Sequence, residues 1–116
     1  MAIDYRRMRA TATRLLTENG AEYVVTRKGG VSVIGGVEHH KDDQAFNAIG
    51  VRTDYKPSEI DGSVIINGDV RIVFTAETEL QIGDLVLVDG KQYRIVEPNP
   101  VKPASLLICY RTQLRA

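Results

Sequence analysis

The sequence predicts a mainly β chain: a small antiparallel β-barrel or sandwich of about six strands, with one N-terminal α-helix and a long hairpin arm. Three observations carry that expectation. Asp89-Gly90 joins two runs of strand-like sequence, 84–89 and 91–97, and both residues tolerate the positive φ of a tight hairpin turn. Short apolar runs recur along the chain between turn signals: Gly20, Gly29-Gly30, Asn67-Gly68-Asp69, Gly83-Asp84 and the prolines 98, 100 and 103. One segment near the start has helical spacing instead. At 116 residues, a single domain over 1–116 is the default.

The helix is expected over 4–19. Asp4 is placed to cap its start, and Gly20 stands just past its end. Tyr5, Met8, Ala12, Leu15 and Leu16 form its apolar stripe, with Arg6, Arg7, Arg9 and Arg14 mostly off it. Those arginines form either a solvated face or a surface for an acidic partner.

A strand follows at 21–28. Residues 29–44, GGVSVIGGVEHHKDDQ, hold four glycines and a small apolar patch, Val31, Val33 and Ile34. This reads as a long hairpin arm or a mobile loop. Segments of this kind in compact domains are usually functional or disordered. Exposed Val and Ile on such an arm make sense when it docks on a neighbour.

A second strand is expected at 45–54, where Gly50 signals a bulge or a close backbone approach. Residues 56–62 read as an irregular or single helical turn. Strands are expected at 69–76, 84–89, 91–97 and 105–114. Leu85, Leu87, Tyr93 and Ile95 are candidates for one or both faces of the hairpin. The connection through Pro98, Pro100 and Pro103 cannot lie in a central strand.

Composition narrows the function classes. Fifteen basic and fifteen acidic residues give no net charge, which argues against nucleic acid as the main partner and lets copies approach one another. Cys109 is the single cysteine, so no internal disulfide forms, which suits a reducing compartment. No signal-peptide or membrane-length apolar run is present, so a soluble chain made in the cytoplasm is expected.

Catalytic patterns are missing from the sequence. His39-His40 would point to opposite faces of a strand and make a poor metal pair. Cys109 sits in an apolar run and reads as a buried structural residue. Asp61, Asp69, Asp84 and Asp89 stand at turns, without the alternation of a calcium loop. No phosphate-cradling glycine loop or nucleophile elbow occurs. No cofactor or metal is expected, and an enzyme ranks last.

The order of these features resembles the head-closure proteins of long-tailed bacteriophages, also called head–tail joining, connector or stopper proteins. IDYRRMRATATRLLTENG looks like the short N-terminal helix of that family. EYVVTRK and the glycine-bearing arm follow in the same order. YKPSEIDGSVIINGDVRIVF resembles its most recognisable stretch, and LQIGDLVLVDGKQYRIVEPNPVKP its terminal hairpin and proline link, before LLICYRTQLR closes the pattern. The arm departs from the family pattern in being apolar at Val31 to Ile34 and lacking proline.

The resemblance implies a structural virion protein of the neck, assembled in the bacterial host cytoplasm. It would form a homo-oligomeric ring, hexameric by preference and dodecameric as the alternative. The ring would sit between the portal or adaptor and the tail terminator or tail tube, near the packaged DNA end and away from any membrane. Arg6, Arg7, Val31, Val33, Ile34, His39 and Lys41 are the candidate contacts. A tail terminator, or an SH3- or OB-like barrel that binds nucleic acid, is the competing reading.

Overall fold

Two long-range strand pairings close the chain into a barrel in the computed structural model, which describes residues 3–116. Residues 1 and 2 of the expected domain lie outside the described residues. The elements are α1 (Tyr5–Asn19), β1 (Ala21–Arg27), β2 (Val31–Ile34), β3 (Val37–His40), β4 (Gln44–Asp54), β5 (Val70–Thr75), β6 (Leu85–Val88), β7 (Lys91–Glu97), β8 (Pro100–Val101) and β9 (Cys109–Arg115). The barrel order is β5-β4-β1-β6-β7-β9, and β9 pairs back onto β5. All pairings are antiparallel. This is the mainly β barrel of six strands with one helix; β8 adds a short strand at the edge of β9.

Alternation fills the barrel. In β5, Val70, Ile72 and Phe74 point inward; in β9, Tyr110, Thr112 and Leu114 do. Thr112 is fully buried, and its hydroxyl donates to the Ile72 carbonyl at 2.7 Å, so its polar atom is satisfied. The hairpin register selects Val86, Val88 and Ile95 for the core. Leu85 is half-buried and Leu87 exposed, so the inner face of β6 falls to its valines rather than its leucines. Asp89-Gly90 turns with φ of 50° and 77°, as the hairpin required.

Two glycines are explained by bulk. β4 keeps an unbroken register with both β1 and β5 through Gly50, so there is no bulge. A Cβ on Gly50 would stand 2.8 Å from Ile72 Cγ2, Phe74 Cδ1 and the Val73 carbonyl. Gly20 ends the helix in an extended conformation, φ −102°, not a left-handed one. Its hydrogen faces the Gly50 carbonyl, and any side chain there would collide with it. The two glycines together set how closely α1 lies on the barrel.

The helix starts at Tyr5, where Asp4 Oδ1 accepts from the Arg7 amide at 3.2 Å. It rests on β4, β5 and β9 through a half-buried row: Tyr5, Arg9, Ala12, Thr13 and Leu16. Met8 and Leu15, expected in that row, are 43% and 47% exposed. The expected stripe was wider than the barrel surface that receives it.

Two further connections follow expectation and one boundary does not. The turn after β4 contains a single 3-10 turn, Pro57–Glu59. Pro100 does enter a strand, but an edge one, where its missing amide costs nothing. The last strand begins at Cys109 rather than 105, because β8 folds back and Ile108 N donates to the Val101 carbonyl at 2.8 Å.

Two turns of the same construction hold the barrel shut. In Ile66-Asn67-Gly68-Asp69 and Gln81-Ile82-Gly83-Asp84, the glycine has φ 93° and the aspartate amide donates to the carbonyl three residues back. The aspartate carboxylate in turn accepts from the amide of that first residue, at 3.1 Å in one and 2.9 Å in the other. Each carboxylate then receives a two-pronged arginine from a distant strand. Arg27 of β1 reaches Asp84 at 3.0 and 2.9 Å; Arg115 of β9 reaches Asp69 at 3.0 and 2.9 Å. Both carboxylates are almost fully buried.

Truncating Asp84 would strand Arg27 and leave the Gln81 amide unpaired. The Asp84→Ala variant is expected to lose about 3 kcal/mol of unfolding free energy in urea titrations, and a loss below about 1 kcal/mol would contradict this role. Burial pushes the Asp69 carboxyl up, but hydrogen bonds from Arg115, Gln113 and the Ile66 amide outweigh it and hold the pKa below the usual value. The stabilisation is therefore complete above about pH 4, the unfolded value, and disappears as pH falls through the lower folded value. Asp69→Asn is expected to be less stable than the native chain at pH 6, with the gap narrowing towards pH 2. A gap independent of pH would show that the carboxylate charge is not what stabilises.

Candidate assembly surfaces

The arm leaves the barrel where β1 ends. Arg27 fixes that point: besides Asp84 it donates to the Glu79 carbonyl at 3.1 Å and lies 5.2 Å over the Phe46 ring. One residue on, Asp43 clamps the two sides of the arm's base. Its carboxylate accepts from the Gly29 amide at 3.0 Å and from Lys28 Nζ at 3.1 Å. Those bonds, the Gly29 amide foremost, hold the Asp43 pKa below its usual value. Gly29 is obligatory, because a Cβ there would run into the Lys41 carbonyl.

Beyond the clamp, β2 and β3 form a separate two-stranded sheet, so the segment is a hairpin rather than a loop. Gly35-Gly36 turns it with φ of 61° and 79°. All eight strand residues are exposed. Val33 and Ile34 are 67% and 66% exposed, with Val31 and Val37 nearly as open. The molecule measures 57 × 34 × 25 Å. Its radius of gyration, 16.3 Å, exceeds the roughly 13 Å of a compact chain of this length.

Register sorts the candidate contacts. Val31 faces His40 and Val33 faces Glu38, so these four share one side; Ser32, Ile34, Val37 and His39 share the other. The arm thus has two half-apolar faces. Val31 and Val33 act together, and Ile34 with His39 lies opposite. Lys41 follows β3; its amide donates to the Gly30 carbonyl at 3.1 Å and its side chain is exposed beside the base. Val37 and Glu38 belong to these faces too. Strict alternation was the signal for them, once the turn at Gly35-Gly36 was fixed.

Arg6 and Arg7 are likewise separated. Arg6 borders a groove of about 560 Å³ between α1 and the loops carrying Glu77 and Leu106. Arg9, Ala10, Thr13 and Arg14 line the same groove. None of the three arginines makes an ion pair among the described residues. Arg7 lies on the adjacent helix face, beside the exposed Met8 and Leu15.

Other chemistry is sparse. No group of three or more His, Cys, Asp or Glu side chains is placed to hold a metal among the described residues. Cys109 is half-buried, and burial raises its thiol pKa above the usual value, which disfavours the thiolate. No helix of the described residues is long and apolar enough to cross a membrane. Neither a family model nor a curated protein matches this sequence.

The register Arg27↔Gln44 makes the arm removable. Deleting residues 30–43 leaves Lys28-Gly29 as a two-residue turn between those paired residues, a length that antiparallel strands accept. The shortened chain is expected to melt within a few degrees of the full one; loss of cooperative unfolding would show that the arm supports the barrel.

Proposed function

We propose that this chain is a structural subunit of a bacteriophage neck. It forms a ring between the portal or adaptor and the tail, closes the DNA-filled head, and offers the platform on which the tail docks. The observation that carries this reading is a rigid closed barrel bearing a hairpin whose apolar residues the chain itself leaves uncovered. A two-stranded hairpin is marginal in water by itself. Val31, Val33, Ile34 and Val37 therefore gain most by ordering against another molecule. The sequence order of helix, arm, Asp-Gly stretch and Gly-Asp hairpin supports the same reading, as does a net charge of zero, which lets subunits approach closely.

A ring requires each subunit to use two different surfaces, one for each neighbour. The arm and the α1 groove are two such surfaces. In this reading the protein acts by shape and contact, not catalysis, and its place is the virion.

The decisive experiment is a null mutant in the phage that carries the gene, with the lysate imaged by electron microscopy. Heads emptied of DNA beside finished free tails are the expected result. Full heads beside free or overlong tails would move the protein to the tail end, and normal particles would remove the reading. In purified protein, the chain lacking residues 30–43 is expected to stay a folded monomer where the full chain assembles.

A further inference from the structure

The α1 groove and one face of the arm have complementary chemistry. The groove is lined by Arg6, Arg9 and Arg14 together with Ala10, Thr13, Glu77 and Leu106. The arm face carries Val31 and Val33 beside Glu38. Glu38 is exposed, and the equally exposed His40 on the same face lies 3.6 Å from its carboxylate. The groove therefore carries three arginines against one carboxylate, Glu77, and the arm face offers a carboxylate and two exposed valines.

Dimensions agree. Arg6 to Arg14 spans eight residues of helix, about 12 Å. Counted the same way, β2 from Val31 to Ile34 spans three steps, about 10 Å. The subunit's own arm does not fill its groove, since every strand residue of the arm is exposed.

From these features we infer that the arm of one copy docks in the α1 groove of a second copy. Val31 and Val33 cover Ala10 and Leu106, and Glu38 meets the arginine cluster. The contact is head-to-tail, because arm and groove are different surfaces, so each bound copy leaves one free arm and one free groove for the next. This inference rests on the ring reading and names the surfaces that make the ring.

Charge reversal tests it without disturbing the barrel. Glu38→Arg alters an exposed residue, and Arg6→Glu with Arg14→Glu alters two exposed helix positions, one of them in the first turn, where an acid is favourable. Circular dichroism checks that each variant is folded. Sedimentation velocity across a concentration series then reads assembly. Each variant alone is expected to self-associate at least about tenfold more weakly than the native chain. Mixing the two variants is expected to restore assembly, because the reversed arm now meets a reversed groove and the native arm a native groove. Undiminished association of Glu38→Arg, or a mixture that fails to recover, overturns this contact while leaving the ring standing. A native chain that stays monomeric throughout overturns both.

Discussion

Barrel closure in this chain depends on two buried carboxylates that grip arginines far away in sequence. A meander of antiparallel strands can be built from neighbours, but a barrel must also join strands that are not consecutive. Here those joins are β1 to β6 and β5 to β9. The first has only two paired positions, Val25↔Val86 and Thr26↔Leu85. Asp84 stands one residue before β6 and Arg27 ends β1, so the ion pair extends a seam that the ladder barely makes. Asp69 and Arg115 clamp the end of the β5–β9 seam, which already has six paired positions. Replacing such a pair by apolar residues can leave stability unchanged, but removing one member leaves a buried charge without a partner. The geometry therefore favours one closure over the alternatives. It also sets the point from which the arm departs, because the residue after Arg27 begins the arm's base.

Local features of the fold were legible because their causes are local. Asp4 capped the helix, Asp89-Gly90 made the hairpin turn, and the barrel class followed from turn spacing. The missed features were those whose cause lies elsewhere in the chain. Asp69 and Asp84 read as turn residues, and they are; their arginine partners stand 46 and 57 residues away. Helical periodicity placed Met8 and Leu15 with Tyr5 and Leu16, yet the barrel wall receives only the narrower row. Sequence alternation alone left both faces of β6 open; pairing with β7 put its valines inside. Gly20 does end the helix, but the carbonyls of Gly50 and Leu16 that exclude a side chain there could not be read from its position alone.

The candidate surfaces were legible in part for the same reason. Exposed apolar residues on a glycine-bounded segment are a local conflict, and conflicts between local sequence and a stable fold concentrate at functional places. Val31, Val33 and Ile34 could be named from that conflict alone. Their division between two faces could not, because it depends on register. Arg6 and Arg7 are adjacent in sequence and lie on different faces of the helix, one on the groove with Arg9 and Arg14, the other beside Met8.

Charge distribution connects these surfaces to assembly. Equal numbers of acids and bases remove long-range repulsion between copies but say nothing about which surfaces meet. In this chain the acids of the two Gly-Asp turns are consumed internally, Asp69 by Arg115 and Asp84 by Arg27. Arg52 is likewise occupied, by Asp54 and Asp89, and Arg71 by Glu59. With those pairs set aside, Arg6, Arg9 and Arg14 are among the basic residues without an ion pair among the described residues, and they line one groove with Glu77 as its acid. A surface that is basic and partly apolar repels a copy of itself and suits something acidic and partly apolar, so two-fold pairing through that face is disfavoured and contact between unlike faces is favoured. In the proposed ring, unlike faces would propagate, and closure would depend on the angle at which the barrel presents its arm. Arg27 and Asp43 tie the base of that arm to the barrel, so in that reading they would bear on closure as well as on stability.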